Sequence, residues 1–208
     1  MPTIPTIVNR AFVYLASQSP RRRQLLEQMG VAHELLLPGD DEDAEALEQV
    51  LPGESPTAYV VRVTALKLDA AVARMARRRL PSAAVLCSDT TVALGRTILG
   101  KPEDAADARR MLRALSGRTH RVLTSVAVQS GRKRLQTCSV SKVSFEALSE
   151  RQIRHYVETG ESMGKAGAYA VQGRAALHIT RMAGSYSGIM GLPMHETAQL
   201  LRECGFRL

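Results

Sequence analysis

The run LASQSPRRRQLL, Leu15 through Leu26, constrains this chain more than any other stretch. Just before it, AFVYLA at 11–16 is apolar, with aromatic and β-branched members, and reads as a short strand. After it, residues 24–29 have helical spacing and stop at Gly30. Ser19 suits the N-cap, and Pro20 suits the first helical position, where its missing N–H costs nothing. The passage is therefore strand, tight turn, helix. A helix N-terminus exposes unpaired N–H groups and a partial positive charge. Arg21, Arg22 and Arg23 in its first turn oppose that dipole. They gain a purpose if an anion docks there, because N–H groups, serine hydroxyls and guanidinium forks then converge on it. Spacing alone leaves a solvated basic helix face open as the alternative.

The rest of the chain alternates in the same manner. A second short strand, HELLL at 33–37, is stopped by Pro38 and Gly39. An acidic run follows (Asp40, Asp41, Glu42, Asp43, Glu45, Glu48), which reads as loop and then a turn of helix. Ser55 and Pro56 open a long helix to Arg79, whose terminal arginines, Arg74, Arg77, Arg78 and Arg79, suit a solvated C-terminal end. The apolar run at 83–88 is a strand buried on both faces; it leads into Asp89, continues through 90–94 and returns as a hairpin at 97–99. A helix at 105–115, strands at 120–129 and 135–145, and a helix from 148 to about Gly160 come next. A small-residue loop at 164–173, a strand at 176–182 and a last helix from Leu192 through Leu201 complete the chain. The expected fold is α/β: a mixed twisted β-sheet flanked by helices, with ligands at the carboxyl ends of the strands. A length of 208 residues without a Pro-, Gly- or Ser-rich linker suits one domain of two lobes.

Composition narrows the function. Lys and Arg number 28 against 20 Asp and Glu, and this net +8 favours an anionic partner. Aromatic residues make up only 4% and Trp is absent, so stacking platforms for single-stranded nucleic acid are lacking. Three scattered cysteines form no CxxC pair, which suits reduced thiols and no zinc site. There is no bilayer-spanning apolar run and no signal-peptide pattern, so the expectation is a soluble, cytoplasmic protein.

Asp89 is the sharpest acidic candidate, since a carboxylate ending a buried strand needs a partner or a task. A turn-forming Asp is the plain alternative. Lys101, in Gly100-Lys101-Pro102, is placed to meet phosphate, Gly100 allowing close backbone approach; otherwise it is an ordinary turn lysine. Glu42 and Asp41 are a second carboxylate source, and Glu42 with Asp89 would suit a hard divalent cation. Lys165 and Gln172 are either solvated or donors to a base edge, a pyrimidine carbonyl included. GxxxxGK[ST], GxGxxG and GxSxG are all absent, and the histidines show no partner pattern.

Together these residues resemble the Maf family of nucleotide pyrophosphatases. The resemblance runs from 12 to 205 through LASQSPRRRQLL, the DDE ending at Glu42, SDTTV, ILGKPED, MLRALSGRTHRVLTSVAV, GKAGAYAVQG and GSYSGIMGLP. It implies two lobes around a central nucleotide-binding cleft, a homodimer, and hydrolysis of a nucleoside triphosphate to monophosphate and pyrophosphate with Mg²⁺ or Mn²⁺. By position, it implies phosphate binding for Ser17, Arg21 and Arg22, and metal and water for Glu42. It further implies a cleft-facing Lys67, the acid–base for Asp89, and phosphate contact for Lys101. SPRR, Lys165 and Gln172 look more like the dTTP/UTP subfamily than the 7-methyl-GTP one. Two rivals to that reading are a house-cleaning 7-methyl-GTP-type pyrophosphatase and a non-enzymatic regulator of septum formation. The turn Gly95-Arg96-Thr97 departs from the family pattern, and the loop at 43–55 looks long for it.

Overall fold

A computed structural model of the chain describes residues 12–39, 42, 43 and 46–208. Asp40 and Asp41, of the acidic motif, lie outside the described residues. The elements are β1 (Val13–Leu15), α1 (Pro20–Gln28), β2 (His33–Leu35), α2 (Pro56–Arg77), β3 (Ala84–Leu94), β4 (Thr97–Leu99) and α3 (Ala105–Leu115). They continue with β5 (Thr119–Ser130), β6 (Lys133–Phe145), α4 (Glu150–Glu158), β7 (Ile179–Ala183), α5 (Tyr186–Met190) and α6 (Met194–Glu203). The sheet has seven strands in the order β2-β1-β3-β5-β6-β7, with β4 also on β3. β1 runs parallel to β2 and β3; every other pairing is antiparallel. This is the mixed α/β sheet with flanking helices that the sequence predicts.

Strand alternation sorts the core into layers. Val13, Leu15, Ala84 and Leu86 pack with Leu25 and Leu26 of α1 and Leu200 and Leu201 of α6. Tyr14, Val85 and Cys87 point the other way, against Leu68 and Ala71 of α2. Both faces of β3 are thus covered, which is why its sequence is a continuous apolar run. Each fully buried leucine contributes about 1.5–3 kcal/mol. α2 begins as the sequence predicts: Pro56 is at its first turn, and the Ser55 Oγ accepts from the Ala58 N–H at 3.2 Å. A second core joins α3 and α4 to the far ends of β5 and β6, through Leu112, Val122, Phe145, Ile153 and Tyr156.

The turn at Gly95 and Arg96 keeps a regular hairpin, pairing Leu94 with Thr97. Two elements differ from expectation. β7 begins at Ile179, not 176, because residues 174–178 form a 3₁₀ turn that buries Ala175, the Ala176 N–H bonding back to the Gly173 carbonyl at 3.0 Å. The stretch Tyr186–Met190, between the predicted strand at 176–182 and the predicted helix from Leu192, is a short helix to which the sequence reading assigns no element. The Ser185 Oγ caps it, and Gly191, at φ +119°, ends it.

One topological detail makes the cleft. β1 pairs with Ala84, Val85 and Leu86 on one edge of β3, and β4 pairs with Val92, Ala93 and Leu94 on that same edge. Between them, residues 87–91 keep β5 on one side and, among the described residues, have no strand on the other. Asp89 sits in the middle of this gap.

Candidate active site

A cleft of about 940 Å³ opens beside that gap. Its walls include the α1 N-terminus, the acidic segment, Lys67 and Arg74 of α2, Asp89, Lys101 and the loop from Gly164 to Gln172. Of the site candidates singled out above, Ser17, Arg21, Arg22, Glu42, Lys67, Asp89, Lys101, Lys165 and Gln172 line it, and Asp41 lies outside the described residues.

At the α1 end, Ser17 and Arg22 form a fixed cradle. The Ser17 Oγ accepts from the Ser19 N–H at 3.2 Å and from Arg22 Nη1 at 3.1 Å. Arg22 also donates through Nε to the Gly191 carbonyl at 2.8 Å and through Nη2 to Thr90 Oγ1 at 3.3 Å. It is therefore a strut joining α1, β3 and the end of α5, with its charge left at the cleft. Arg21 makes one longer bond, Nε to the Met190 carbonyl at 3.4 Å, and keeps most of its donors free.

The acidic side separates two glutamates. Lys67 Nζ lies 2.7 Å from Glu48 Oε1 and 2.5 Å from Asp89 Oδ1. Lys101 Nζ lies 3.0 Å from Glu48 Oε2. Glu48, Asp89, Lys67 and Lys101 thus form one cluster. Burial raises the Glu48 carboxyl, but Lys67 and then Lys101 outweigh it and hold it below its ordinary value. The Tyr59 hydroxyl donates to the Glu48 carbonyl at 2.9 Å and fixes that backbone. Burial, and then Asp89, push Tyr59 up to about 12, so it stays a donor.

Glu42 stands elsewhere on the cleft wall. Arg74 grips it through Nε at 2.9 Å and Nη2 at 2.6 Å, and Arg77 adds a bond at 2.7 Å. Hydrogen bonds from Arg74 hold the Glu42 carboxyl at about 2. Arg74 also donates to the Leu36 carbonyl at 2.8 Å and is only 4% exposed, so it is no solvated helix end. Seven residues separate Lys67 from Arg74, two turns of one helix face, and each binds one glutamate of the acidic segment. Glu48 is the site residue that sequence reasoning passed over. It is one of four glutamates at 42, 45, 48 and 54, and nothing in their spacing separates it from the others; the partner that does is Lys67.

In the loop from Gly164 to Gln172, Lys165 Nζ bonds the Met163 carbonyl at 3.3 Å. Burial and then Arg21 lower its pKa. The Gln172 side chain is exposed and has no hydrogen-bond partner among the described residues. Both present donors to the cleft.

The chain is 68% identical over 197 residues to a protein named dTTP/UTP pyrophosphatase from Albidiferax ferrireducens, covering 95% of this chain and 98% of that one. It is 66% identical to a protein of the same name from Polaromonas sp., with the same coverage. A third so named, from Ralstonia nicotianae, is 57% identical over 205 residues, covering 98% of this chain and 99% of the other. The family model described as Maf-like protein matches residues 12–204, and the chain belongs to that family.

Proposed function

We propose that this chain hydrolyses dTTP and UTP to the nucleoside monophosphate and pyrophosphate. The observation that carries the reading is the meeting of Glu48 and Asp89 on one ammonium, at the foot of a cleft lined by Arg21, Arg22 and Lys101. Names shared by relatives this similar supply the nucleotide.

The donor set fits a hard divalent cation such as Mg²⁺ or Mn²⁺. Glu48 and Asp89 are carboxylates close enough to share the Lys67 cation, and substrate phosphates would complete the oxygen ligands. Glu42 suits that task less, since Arg74 and Arg77 occupy both of its oxygens. When bound, the cation neutralises phosphate charge and orients the triphosphate.

The chain's own residues do the rest. The α1 N-terminus with Ser17, Arg21 and Arg22 receives the phosphates. Lys67 and Lys101 turn from the carboxylates to the charge that spreads as the bond breaks. Asp89 takes the proton of a water whose oxygen joins the α-phosphorus, and the bridging oxygen leaves on pyrophosphate. Lys165 and Gln172 meet the base carbonyls. The homodimer implied by the resemblance and the cytoplasmic location expected from the sequence belong to the same reading. Among the described residues no helix is long and apolar enough to cross a membrane.

The test is a nucleotide panel scored by pyrophosphate release, with and without chelator. The reading expects dTTP and UTP to lead and chelator to stop the reaction. Preference for 7-methyl-GTP would move the chain to the house-cleaning reading. An Asp89→Asn variant with near-normal turnover would remove Asp89 from the chemistry.

A further inference from the structure

His120 lies on β5 beneath the loop of Lys165 and Gln172, and the reaction described above makes no use of it. It is 2% exposed. Its Nε2 meets the Tyr169 hydroxyl at 2.7 Å. Phe145 completes an edge-to-face trio, its centroid 5.3 Å from His120 and 4.9 Å from Tyr169. The other ring nitrogen, Nδ1, is buried with no hydrogen-bond partner among the described residues. An orphaned buried N–H is rarer than an orphaned acceptor, so the single proton of the neutral ring belongs on Nε2 and is donated to Tyr169. Burial pushes the ring pKa down to about 4, so it stays neutral in ordinary buffers.

Tyr169 is four residues after Lys165 and three before Gln172. The backbone between Lys165 and Tyr169 is strained, with Gly167 at φ +69° and Ala168, a non-glycine, at φ +60°. A left-handed alanine is disfavoured and persists only where its surroundings hold it. Several groups hold it. Ala168 is fully buried, and its N–H bonds the Lys165 carbonyl at 2.9 Å. The Gly167 N–H bonds the Gly100 carbonyl at 3.0 Å, and the Ala170 N–H bonds the Tyr156 hydroxyl at 3.2 Å. A further one is the His120–Tyr169 bond. It joins two side chains alone, so it can be removed without touching the loop backbone.

We infer that His120 is a positioning residue for base recognition: its hydrogen bond to Tyr169 sets the strained loop so that Lys165 and Gln172 face the base. This rests on the reading that those two residues contact the base. The phosphate cradle lies on other elements, α1, α2 and β3, and among the described residues no hydrogen bond joins it to this trio; Lys101 is tied to the loop only through the backbone bond from Gly167 to Gly100, which the side-chain variants below leave in place. Loosening the clasp therefore affects the nucleoside end of the substrate and leaves the phosphate end alone.

The experiment compares Tyr169→Phe, His120→Leu and His120→Gln with the unmodified protein. It measures KM and kcat for dTTP, the ratio of dTTP to GTP turnover, inhibition by inorganic tripolyphosphate, and Tm. Tyr169→Phe keeps the ring and deletes one hydroxyl, so a net hydrogen bond of ordinary strength predicts a rise in KM for dTTP of about 3- to 10-fold. The dTTP:GTP ratio falls with it, while kcat and tripolyphosphate inhibition stay within about twofold, a spread below one such bond. His120→Leu does the same, and His120→Gln, whose amide can still donate, recovers part of the loss. A lowered Tm with unchanged KM and selectivity overturns the inference and leaves a packing trio. So does tripolyphosphate inhibition that weakens in parallel with KM. Lys165→Ala and Gln172→Ala separate the two levels. If they leave selectivity unchanged, the base-contact reading fails; if they change it and Tyr169→Phe does not, the clasp alone fails.

Discussion

Glu48 and Asp89 share a single cation, the Lys67 ammonium, 2.7 Å from the Glu48 Oε1 and 2.5 Å from the Asp89 Oδ1. Two carboxylates drawn this close would repel each other without a positive charge between them. Lys67 fills that place. The consequence is a division of labour between the two glutamates of the acidic segment. Glu48→Gln removes a carboxylate from the chemistry and should cost about 10²-fold or more in kcat. Glu42→Gln weakens the Arg74 clasp and should leave kcat within about 10-fold while lowering Tm, because Arg74 is then a buried cation short of its partner. Pyrophosphate release and thermal unfolding on both variants decide it. The reverse order of damage would return the metal and water role to Glu42.

Arg22 and Arg21 are adjacent but differently committed. Arg22 uses Nε, Nη1 and Nη2 on three acceptors from three parts of the chain, whereas Arg21 makes one long bond. A lysine cannot reproduce a three-way planar fork. Arg22→Lys should therefore lower Tm as well as raise KM, by about 10-fold or more for a charge-assisted contact. Arg21→Lys should raise KM with little change in Tm. Equal loss of Tm in the two variants would remove the strut role from Arg22.

Acid should act on His120 and then on Glu42 in successive windows. Burial holds His120 at about 4 against an ordinary 6.5. Between those values the unfolded chain takes up a proton that the folded chain refuses. His120 thus has no effect above pH 6.5 and destabilises as pH falls below it, by on the order of 1.4 kcal/mol per pH unit down to about 4. Glu42 is held at about 2 against 4.5, first by hydrogen bonds from Arg74. Its contribution is complete above pH 4.5 and is lost as pH falls toward 2. Urea midpoints across pH should flatten in the upper window for His120→Leu and in the lower one for Glu42→Gln. An upper-window slope unchanged in His120→Leu would mean that the ring is protonated in the folded protein.

Much of this was legible in the residues because local chemistry decided it. Ser55-Pro56 starts α2 as its capping chemistry requires, and the Gly95-Arg96 turn closes the β3–β4 hairpin. Other features depend on long-range partners that a linear reading does not supply. The arginines ending α2 look like solvated cations until Leu36 and Glu42 fold back onto Arg74. Glu48 looks like one acid in a run until α2 brings Lys67 beside it. α5 was hidden because Gly184 and Gly188 around Ser185 carry a turn composition, and its cap is visible only when Ser185 meets the Gly188 N–H. His120 has no sequence neighbour that betrays a role, since its partner lies 49 residues away.

Gly167 offers a test of how tightly the loop of Lys165 and Gln172 is seated. Its φ of +69° disfavours any side chain, and a Cβ there would lie 2.9 Å from Val92 Cγ1 and 3.0 Å from both Val92 Cβ and Cγ2. Val92 is buried, β-branched and held in β3, so it has no rotamer by which to retreat. Gly164, in the same loop, has a similar φ of +67° but nothing within 4 Å of its Cβ position. Gly164→Ala should therefore cost only the left-handed backbone penalty, about 1–2 kcal/mol. Gly167→Ala should add the overpacking cost and reach about 2–4 kcal/mol, by urea unfolding. Because Gly167 also donates to the Gly100 carbonyl, beside Lys101, the displaced loop should raise the KM for dTTP as well. Equal costs for the two glycines would mean that the loop yields freely against Val92, and that its position is set elsewhere than at β3.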